Sequence, residues 1–214
     1  MDDWQSSPIL PFQADLRTDS SDIKQGERLF KKGHFKEAIQ LWDTAMNPLD
    51  SDVPFYPLIL LYISKAYQHI GKYYNGISTL ARTIPDQENV TSLNDFIQKY
   101  DLTNYPNSIN ALIFNQVSDF ALIHGDIQNA EKAIAIALQQ AQSKDNPYIL
   151  ACVYNNKGNV LIEKQRTYEA LICYENAIEI LKTIDALPSW MIQSKALLNW
   201  IRLNRRKPFY ENKN

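Results

Sequence analysis

Apolar residues recur every three or four positions along most of the chain, and short polar breaks separate the segments with this period. Such a period places apolar side chains on one face of an α-helix. The pattern predicts helices at about 20–32, 35–47, 55–70, 73–84, 91–100, 107–124, 127–142, 147–164, 167–184 and 188–204. No segment combines sustained alternation with β-branched enrichment, so no sheet is predicted. The fold class that follows is all-α.

Three glycines stand between helices and divide them into pairs. Gly33, Gly71 and Gly125 each lie two residues before the next predicted helix. A glycine at this place ends a helix in the left-handed conformation and allows a tight reversal of the chain. A fourth pair has Gln165 in the same place. We therefore expect four antiparallel helix pairs.

The second helix of each pair repeats the order small, large apolar, small. A small residue lets two helices approach closely, and the large one fills the groove against the next pair. Repetition of this kind is typical of α-solenoids, and it predicts pairs stacked into a right-handed superhelix. The repeated residues are Ala38, Trp42 and Ala45; Gly76, Leu80 and Thr83; Ala130, Ile134 and Ala137; and Ala170, Tyr174 and Ala177.

The spacing of the turns indicates an insertion. Successive turns are about 38, 54 and 40 residues apart, so extra chain lies between the second and third pairs. It runs from about Pro85 to Asn107, and Ser92 with Asp95 resembles a capping box at the start of a helix. We expect one extra helix there. Its apolar residues at helical spacing are Val90, Leu93, Phe96, Ile97 and Tyr100.

The predicted organisation has three parts. Residues 1–19 form a flexible arm, 20–204 a helical repeat domain, and 205–214 a tail. The repeats cover about 20–47, 55–84, 107–142 and 147–184, followed by a terminal helix at 188–204.

Three stretches carry the motifs of a known repeat family. The first runs from Gln25 to Trp42 and reads Gln-Gly-x-x-Leu-Phe-x-x-Gly-x-Phe-x-Glu-Ala-Ile-x-Leu-Trp; the second runs from Leu60 to Tyr73. The third begins Asn-Asn-Lys-Gly-Asn-Val-Leu at Asn155. From about residue 20 to 203 the chain resembles tetratricopeptide-repeat (TPR) proteins. More narrowly, it resembles the repeat array at the start of bacterial CHAT-domain proteins.

The resemblance implies an array that precedes a caspase-like peptidase with a His–Cys dyad. Only ten residues follow Asn204, so we expect the peptidase half to be absent and carry over no catalytic residue. The implied role is a protein-interaction scaffold that is not an enzyme. The alternative is a regulatory module or remnant of a CHAT-type peptidase system that acts in trans.

Charge and composition narrow the class of protein. The chain has 22 basic and 24 acidic residues, which provides no general attraction to nucleic acid or an anionic membrane. The basic run from Arg202 to Lys207 is interpreted as complementing the dipole of the last helix. No apolar run approaches the length of a membrane span, and no secretory signal opens the chain. With two cysteines, these features predict a cytoplasmic protein.

Candidate catalytic and metal-binding groups are few. His34, His69 and His124 lie at helix ends without a cysteine or carboxylate at ligand spacing, so we interpret them as solvated rather than as a metal or acid–base site. Cys152 and Cys173 are interpreted as half-buried thiols rather than a disulfide or a nucleophile with its partner. No phosphate loop or hydrolase motif occurs. The sequence predicts no catalytic, cofactor or metal site.

The first helices of the pairs are expected to line a concave groove. An asparagine amide both donates and accepts, so Asn115, Asn155 and Asn159 form a ladder suited to an extended peptide backbone. The alternative is that these amides are solvated or cap nearby groups. The predicted groove residues are Phe30, Leu61, Lys65, Asn115, Asp119, Asn155 and Asn159, with Glu27, Gln68, Leu122 and Ile162 beside them.

The terminal helix at 188–204 has apolar residues on two sides. One side must pack on the fourth pair, so the other is expected to dock a second copy of the chain or a separate partner. The alternative is that the tail folds back and covers it. The residues of this predicted surface are Trp200, Ile201 and Leu197.

Overall fold

The computed structural model describes residues 21–46, 56–85, 87, 90–142 and 146–184. Within these ranges the protein consists of nine α-helices and contains no strand, which confirms the all-α prediction. The helices are α1 Ser21–Lys31, α2 Phe35–Met46, α3 Tyr56–His69, α4 Tyr73–Ala81, α5 Leu93–Lys99, α6 Asn107–Ile123, α7 Ile127–Ala141, α8 Pro147–Glu163 and α9 Thr167–Lys182. The predicted arm 1–19, the terminal helix 188–204 and the tail 205–214 lie outside the described residues.

The chain divides into two compact units at the start of α6. The first unit ends at Ile109 and contains α1 to α5. The second begins at Asn110 and contains the rest of α6 with α7, α8 and α9. In the first unit α2 packs on both α1 and α3, and in the second α8 packs on both α7 and α9.

The pair α1/α2 shows how the helices of one pair are held. The indole N–H of Trp42, near the end of α2, donates to the carbonyl oxygen of Ile23, near the start of α1, at 3.1 Å. The helices are therefore antiparallel. Trp42 also contacts Tyr62 of α3, with ring centroids 5.3 Å apart. One aromatic side chain thus joins three helices and anchors the core of the first unit.

All four turns between paired helices have the same conformation. The second residue after the first helix of each pair is left-handed, with φ of +82° at Gly33, +73° at Gly71, +72° at Gly125 and +60° at Gln165. In the first turn the Gly33 N–H donates to the Phe30 carbonyl, and the next N–H donates to the carbonyl five residues back, both at 2.9 Å. The other three turns repeat both bonds, which define a Schellman motif.

Paired helices approach closely because a small residue on the first helix leaves room for a larger side chain of the second helix. A Cβ atom on Gly26 would overlap the ring of Trp42, and one on Gly158 would overlap the ring of Tyr174. The equivalent positions in the other two pairs hold serines, and the positions equivalent to Trp42 and Tyr174 hold the smaller residues Leu80 and Ile134. Each serine hydroxyl donates to a carbonyl of the second helix, Ser64 to Gly76 at 3.0 Å and Ser118 to Ala130 at 3.1 Å.

The predicted extra helix is present as α5. The Ser92 hydroxyl accepts from the Asp95 N–H at 3.1 Å, as in a capping box. The Asp95 carboxylate accepts from the N–H and hydroxyl of Thr91, at 3.2 and 2.6 Å. These bonds lower the pKa of Asp95. Phe96 and Tyr100 are buried, so the insertion contributes to the core of the first unit.

Helix α4 is shorter than predicted. The sequence pattern extends to residue 84, but the helix ends at Ala81. The next three N–H groups, from Arg82 to Ile84, each donate to the carbonyl three residues back, which tightens the chain into a turn. Pro85 disfavours the α conformation of the residue before it, so the helix cannot continue.

Candidate functional site

Two first helices lie side by side in the second unit. The side-chain amide of Asn156 in α8 donates to the backbone carbonyl of Asn115 in α6 at 3.0 Å. Ser118 and Gly158 each stand seven residues before the turn residue of their pair, so equivalent positions of the two helices can be matched. Asn115 then corresponds to Asn155, and Asp119 to Asn159. We call these two helix surfaces the α6/α8 face, formed by Asn115, Asp119, Leu122, Ile123, Asn155, Asn159 and Ile162.

A relay of hydrogen bonds crosses behind this face. The Tyr174 hydroxyl of α9 donates to Asn159 Oδ1 at 3.0 Å, and Asn159 Nδ2 lies 3.4 Å from Asn156 Oδ1. Asn156 then reaches Asn115 of α6. Burial raises the pKa of Tyr174, so its hydroxyl remains a proton donor. The relay therefore links α9, α8 and α6, and the Asn159 side chain is already engaged in it. The roles of Asn156 and of the Tyr174 hydroxyl are not predicted from the sequence, where Tyr174 is interpreted only as a large apolar residue.

The side-chain amides of Asn115 and Asn155 differ from that of Asn159 in their hydrogen bonding. Both side-chain oxygens are enclosed and have no hydrogen-bond partner among the described residues. Asn155 is 7% exposed, whereas Asn115 is half-buried. An enclosed acceptor without a donor costs roughly 1–3 kcal/mol. Asn129, Gln140 and Tyr148 also have such oxygens, but only Asn115 and Asn155 occupy equivalent positions on neighbouring helices.

Charge is unevenly distributed around the α6/α8 face. Asp119, half-buried, is the one charged residue in the sequence of α6. The Lys164 ammonium binds Glu131 of α7 at 2.6 Å. The Arg166 guanidinium donates to the Glu169 carboxylate of α9 from Nε and Nη2, at 2.6 and 2.5 Å. These contacts lower the pKa of Glu169. Basic side chains that follow α8 are thus directed to the second helices.

One end of the face is apolar. Leu122 and Ile162, at equivalent positions of α6 and α8, are half-buried. Ile123 is 43% exposed, which is unusual for a large apolar side chain in this protein. A mixed surface of amides, one carboxylate and a small apolar end is suited to a peptide rather than to a small charged metabolite.

Two of the groove residues predicted in the first unit are buried, so this part of the prediction is wrong. Phe30 and Leu61 are 3% and 1% exposed, so neither is open to a ligand. The Phe30 ring packs edge to face on Phe35 at 5.0 Å, and α3 is buried at every residue from Tyr56 to Ser64. Projection from a helical wheel fails there because α3 is apolar on all sides. Lys65, the other predicted entry, is half-buried.

The three histidines have separate surroundings. His34 is exposed, as expected. His69 stacks on Phe35 with ring centroids 4.5 Å apart, so it is part of an aromatic cluster rather than solvated. A ring nitrogen of His124 lies 2.8 Å from the Phe120 carbonyl oxygen. Within the described ranges, no three His, Cys, Asp or Glu side chains are placed to hold a metal ion.

Cys152 and Cys173 do not form a disulfide bond. Cys152 is half-buried in α8, and Cys173 is buried in α9, where burial raises its thiol pKa. A raised pKa disfavours the nucleophilic thiolate. Cys152 is half-buried as predicted, whereas Cys173 is more deeply buried than predicted.

No protein-family model, curated protein or solved structure matches the chain. The resemblance to TPR and CHAT-domain proteins therefore stays a prediction. Among the helices that the structure describes, none is long and apolar enough to cross a membrane. The predicted docking residues Trp200, Ile201 and Leu197 lie outside the described residues.

Proposed function

We propose that the protein is a TPR-type scaffold that binds an extended peptide segment of a partner protein on its α6/α8 face. Four helix pairs with one turn conformation and one pattern of size exchange support repeats of the TPR type. The observation that carries the proposed site is the pair of unsatisfied amide oxygens, on Asn115 and Asn155.

A peptide backbone supplies the donors that these two amides lack. An extended chain presents an N–H on one side about every 7 Å, independent of its sequence. The last torsion of an asparagine side chain is broad, so the Asn115 oxygen can turn toward a ligand without backbone movement. Binding would remove the penalty of roughly 1–3 kcal/mol that each enclosed acceptor imposes on the free protein. The free-energy penalty of the unsatisfied acceptors in the unbound protein is thus relieved on binding and contributes to the affinity.

Selection from a random peptide display library tests this site. We expect the unaltered chain to enrich peptides that Asn115→Ala/Asn155→Leu binds roughly tenfold more weakly, since two bonds of about 0.5–1.5 kcal/mol are lost. Asn155→Leu should also raise the free energy of unfolding by about 1 kcal/mol, because it replaces an unsatisfied amide with an apolar group of similar size. Affinity is measured by fluorescence anisotropy and stability by urea unfolding.

Two variants separate binding from folding. Asn176→Ala, at an exposed asparagine of α9, should change neither measurement. Asn159→Ala should lower stability, because it leaves the Tyr174 hydroxyl without its acceptor. If the library yields no enriched peptide, or if Asn115→Ala/Asn155→Leu binds as tightly as the unaltered chain, the proposed function is wrong.

A further inference from the structure

A row of basic side chains runs along α1. Lys24, Arg28 and Lys32 are exposed and stand four residues apart, and the Lys32 N–H continues the helical pattern by donating to the Arg28 carbonyl at 3.2 Å. Residues four apart share one side of a helix, so the three charges form a stripe about 12 Å long. None of the three makes an ion pair or a side-chain hydrogen bond with another described residue. We call these three residues the α1 stripe.

The arrangement of the α1 stripe costs stability. Like charges four residues apart on a helix repel each other, and Lys24, in the first turn, also opposes the helix dipole. Other charges on the helices are paired with opposite ones at short spacing, as in Lys31 with Glu27 at 2.6 Å and Lys182 with Glu179 at 2.7 Å. A face that only meets water would gain from the same pairing. The repulsion along the α1 stripe is relieved by a ligand that brings negative charge.

The surroundings of the α1 stripe favour an acidic protein segment over nucleic acid. Residues 21–37 contain five of the 22 basic and three of the 24 acidic residues, which leaves 17 basic and 21 acidic residues in the rest of the chain. A short anion meets the local positive charge alone, because salt screens charges beyond about 8 Å, whereas a long polyanion also meets the negative remainder.

The α1 stripe also lacks a platform for bases. A single nucleic-acid strand stacks its bases on aromatic side chains. The exposed large apolar residues that the structure describes are Tyr74, Ile123, Tyr168 and Ile172, and none of them lies on α1 or α2. Carboxylates need no such platform.

We propose that the α1 stripe binds a short, extended, acidic segment of a partner protein. Same-side side chains of an extended chain repeat every 6.6–7 Å, close to the roughly 6 Å between successive charges of the stripe. A segment with acidic residues at alternate positions therefore brings one carboxylate to each of the three cations. Acidic segments of this kind are disordered and serve as interaction tails. The stripe lies in the first unit and does not depend on the α6/α8 face.

Four probes with one rhodamine label of zero net charge test the proposal on the full chain by fluorescence anisotropy. The first is the end-capped peptide Gly-Ser-Glu-Ser-Glu-Ser-Glu-Ser-Gly, and two others have Gln or Lys in place of each Glu. The fourth is a thymidine tetranucleotide, whose three phosphodiesters match the charge of the Glu peptide. We expect the Glu peptide to bind about tenfold more tightly than the Gln peptide, since three exposed charge pairs form. The tetranucleotide should bind more weakly than the Glu peptide, and the Lys peptide most weakly.

Matched charge reversals assign the preference to the α1 stripe. Arg28→Glu, at the centre of the stripe, should make the Glu and Gln peptides bind equally. Lys182→Glu, in the second unit, changes the net charge by the same amount and should keep the tenfold preference, as should Arg28→Lys. Circular dichroism checks that each variant is folded. The peptide series on the unaltered chain decides the question even if a variant fails to fold.

Equal binding of the Glu and Gln peptides to the unaltered chain would overturn the proposal. A Glu preference that survives in folded Arg28→Glu, or one that Lys182→Glu removes as well, would show that the anion binds elsewhere or responds to net charge alone. Tighter binding of the tetranucleotide than of the Glu peptide would identify the ligand as nucleic acid and equally overturn the acidic protein segment.

Discussion

At the residue scale, the fourth turn shows that backbone conformation, rather than residue type, is what the repeats share. Gln165 takes the left-handed conformation that glycine takes at Gly33, Gly71 and Gly125, and it makes the same two hydrogen bonds. An ordinary residue pays about 1–2 kcal/mol for that conformation. The packing of α8 on α9 is thus strong enough to hold a strained residue between them.

Gln165→Gly should raise the free energy of unfolding by about 1 kcal/mol, because it removes the left-handed strain. The matched reverse change is Gly125→Ala, which should lower it by about 1 kcal/mol. A Cβ atom on Gly125 would meet no described atom within 4 Å, so that cost is conformational alone. Urea unfolding followed by circular dichroism measures both. A neutral or destabilising Gln165→Gly would show that the four turns are not equivalent.

At the element scale, the combined size of two side chains, one from each helix of a pair, is what the pairs share. The size of either side chain alone differs from pair to pair. Where the first helix has glycine, the second has Trp42 or Tyr174; where it has serine, the second has a branched aliphatic residue. Each serine hydroxyl donates to a carbonyl of the second helix. Interiors pack densely, so a change on one helix requires a compensating change on the other.

Gly158→Ser alone should destabilise the protein by about 1–3 kcal/mol, because the added atoms overlap the Tyr174 ring. In the Tyr174→Leu background the same change should cost at least 1 kcal/mol less, since the second pair has Leu80 and Ser64 at the equivalent positions. A double-mutant cycle from urea unfolding measures the coupling. Additive costs would mean that the two positions do not share the space that the structure assigns to them.

At the scale of the whole molecule, both units rely on buried tyrosines. Burial raises the pKa of Tyr62 and Tyr100 in the first unit and of Tyr148 and Tyr174 in the second. The folded chain therefore keeps phenol protons that the unfolded chain releases above about pH 10. The associated stability is complete below that pH and is lost as the pH rises beyond it.

The free energy of unfolding should fall between about pH 10 and 11, and Tyr148→Phe should reduce the slope by up to about 1.4 kcal/mol per pH unit, the value for one proton. Tyr148 is suited to the test because its hydroxyl has no hydrogen-bond partner among the described residues. Tyr168→Phe is the control, since Tyr168 is 73% exposed. Urea unfolding at a series of pH values gives both slopes. Equal slopes for the two variants would contradict the assignment.

The sequence by itself determined the elements and the turns. Helix period and left-handed glycines are local properties, so the nine described helices, the extra α5 among them, could be predicted to within a few residues. It also indicated Asn115 and Asn155 as candidate ligand-binding amides. The end of α4 was predicted too late because the apolar pattern continues to residue 84, whereas the backbone tightens into a turn from Arg82 onward, ahead of Pro85.

Only the tertiary structure decided which polar groups are engaged. Asn159 and Asn155 both look like exposed amides in the sequence pattern, yet Asn159 accepts from Tyr174, whereas Asn155 has an enclosed oxygen to which no described residue donates. Phe30 and Leu61 looked like groove residues and proved to be core. The difference comes from contacts between residues far apart in the chain, such as Asn156 with Asn115. A side chain's neighbours across helices are set by packing, which a helical wheel of one helix does not contain.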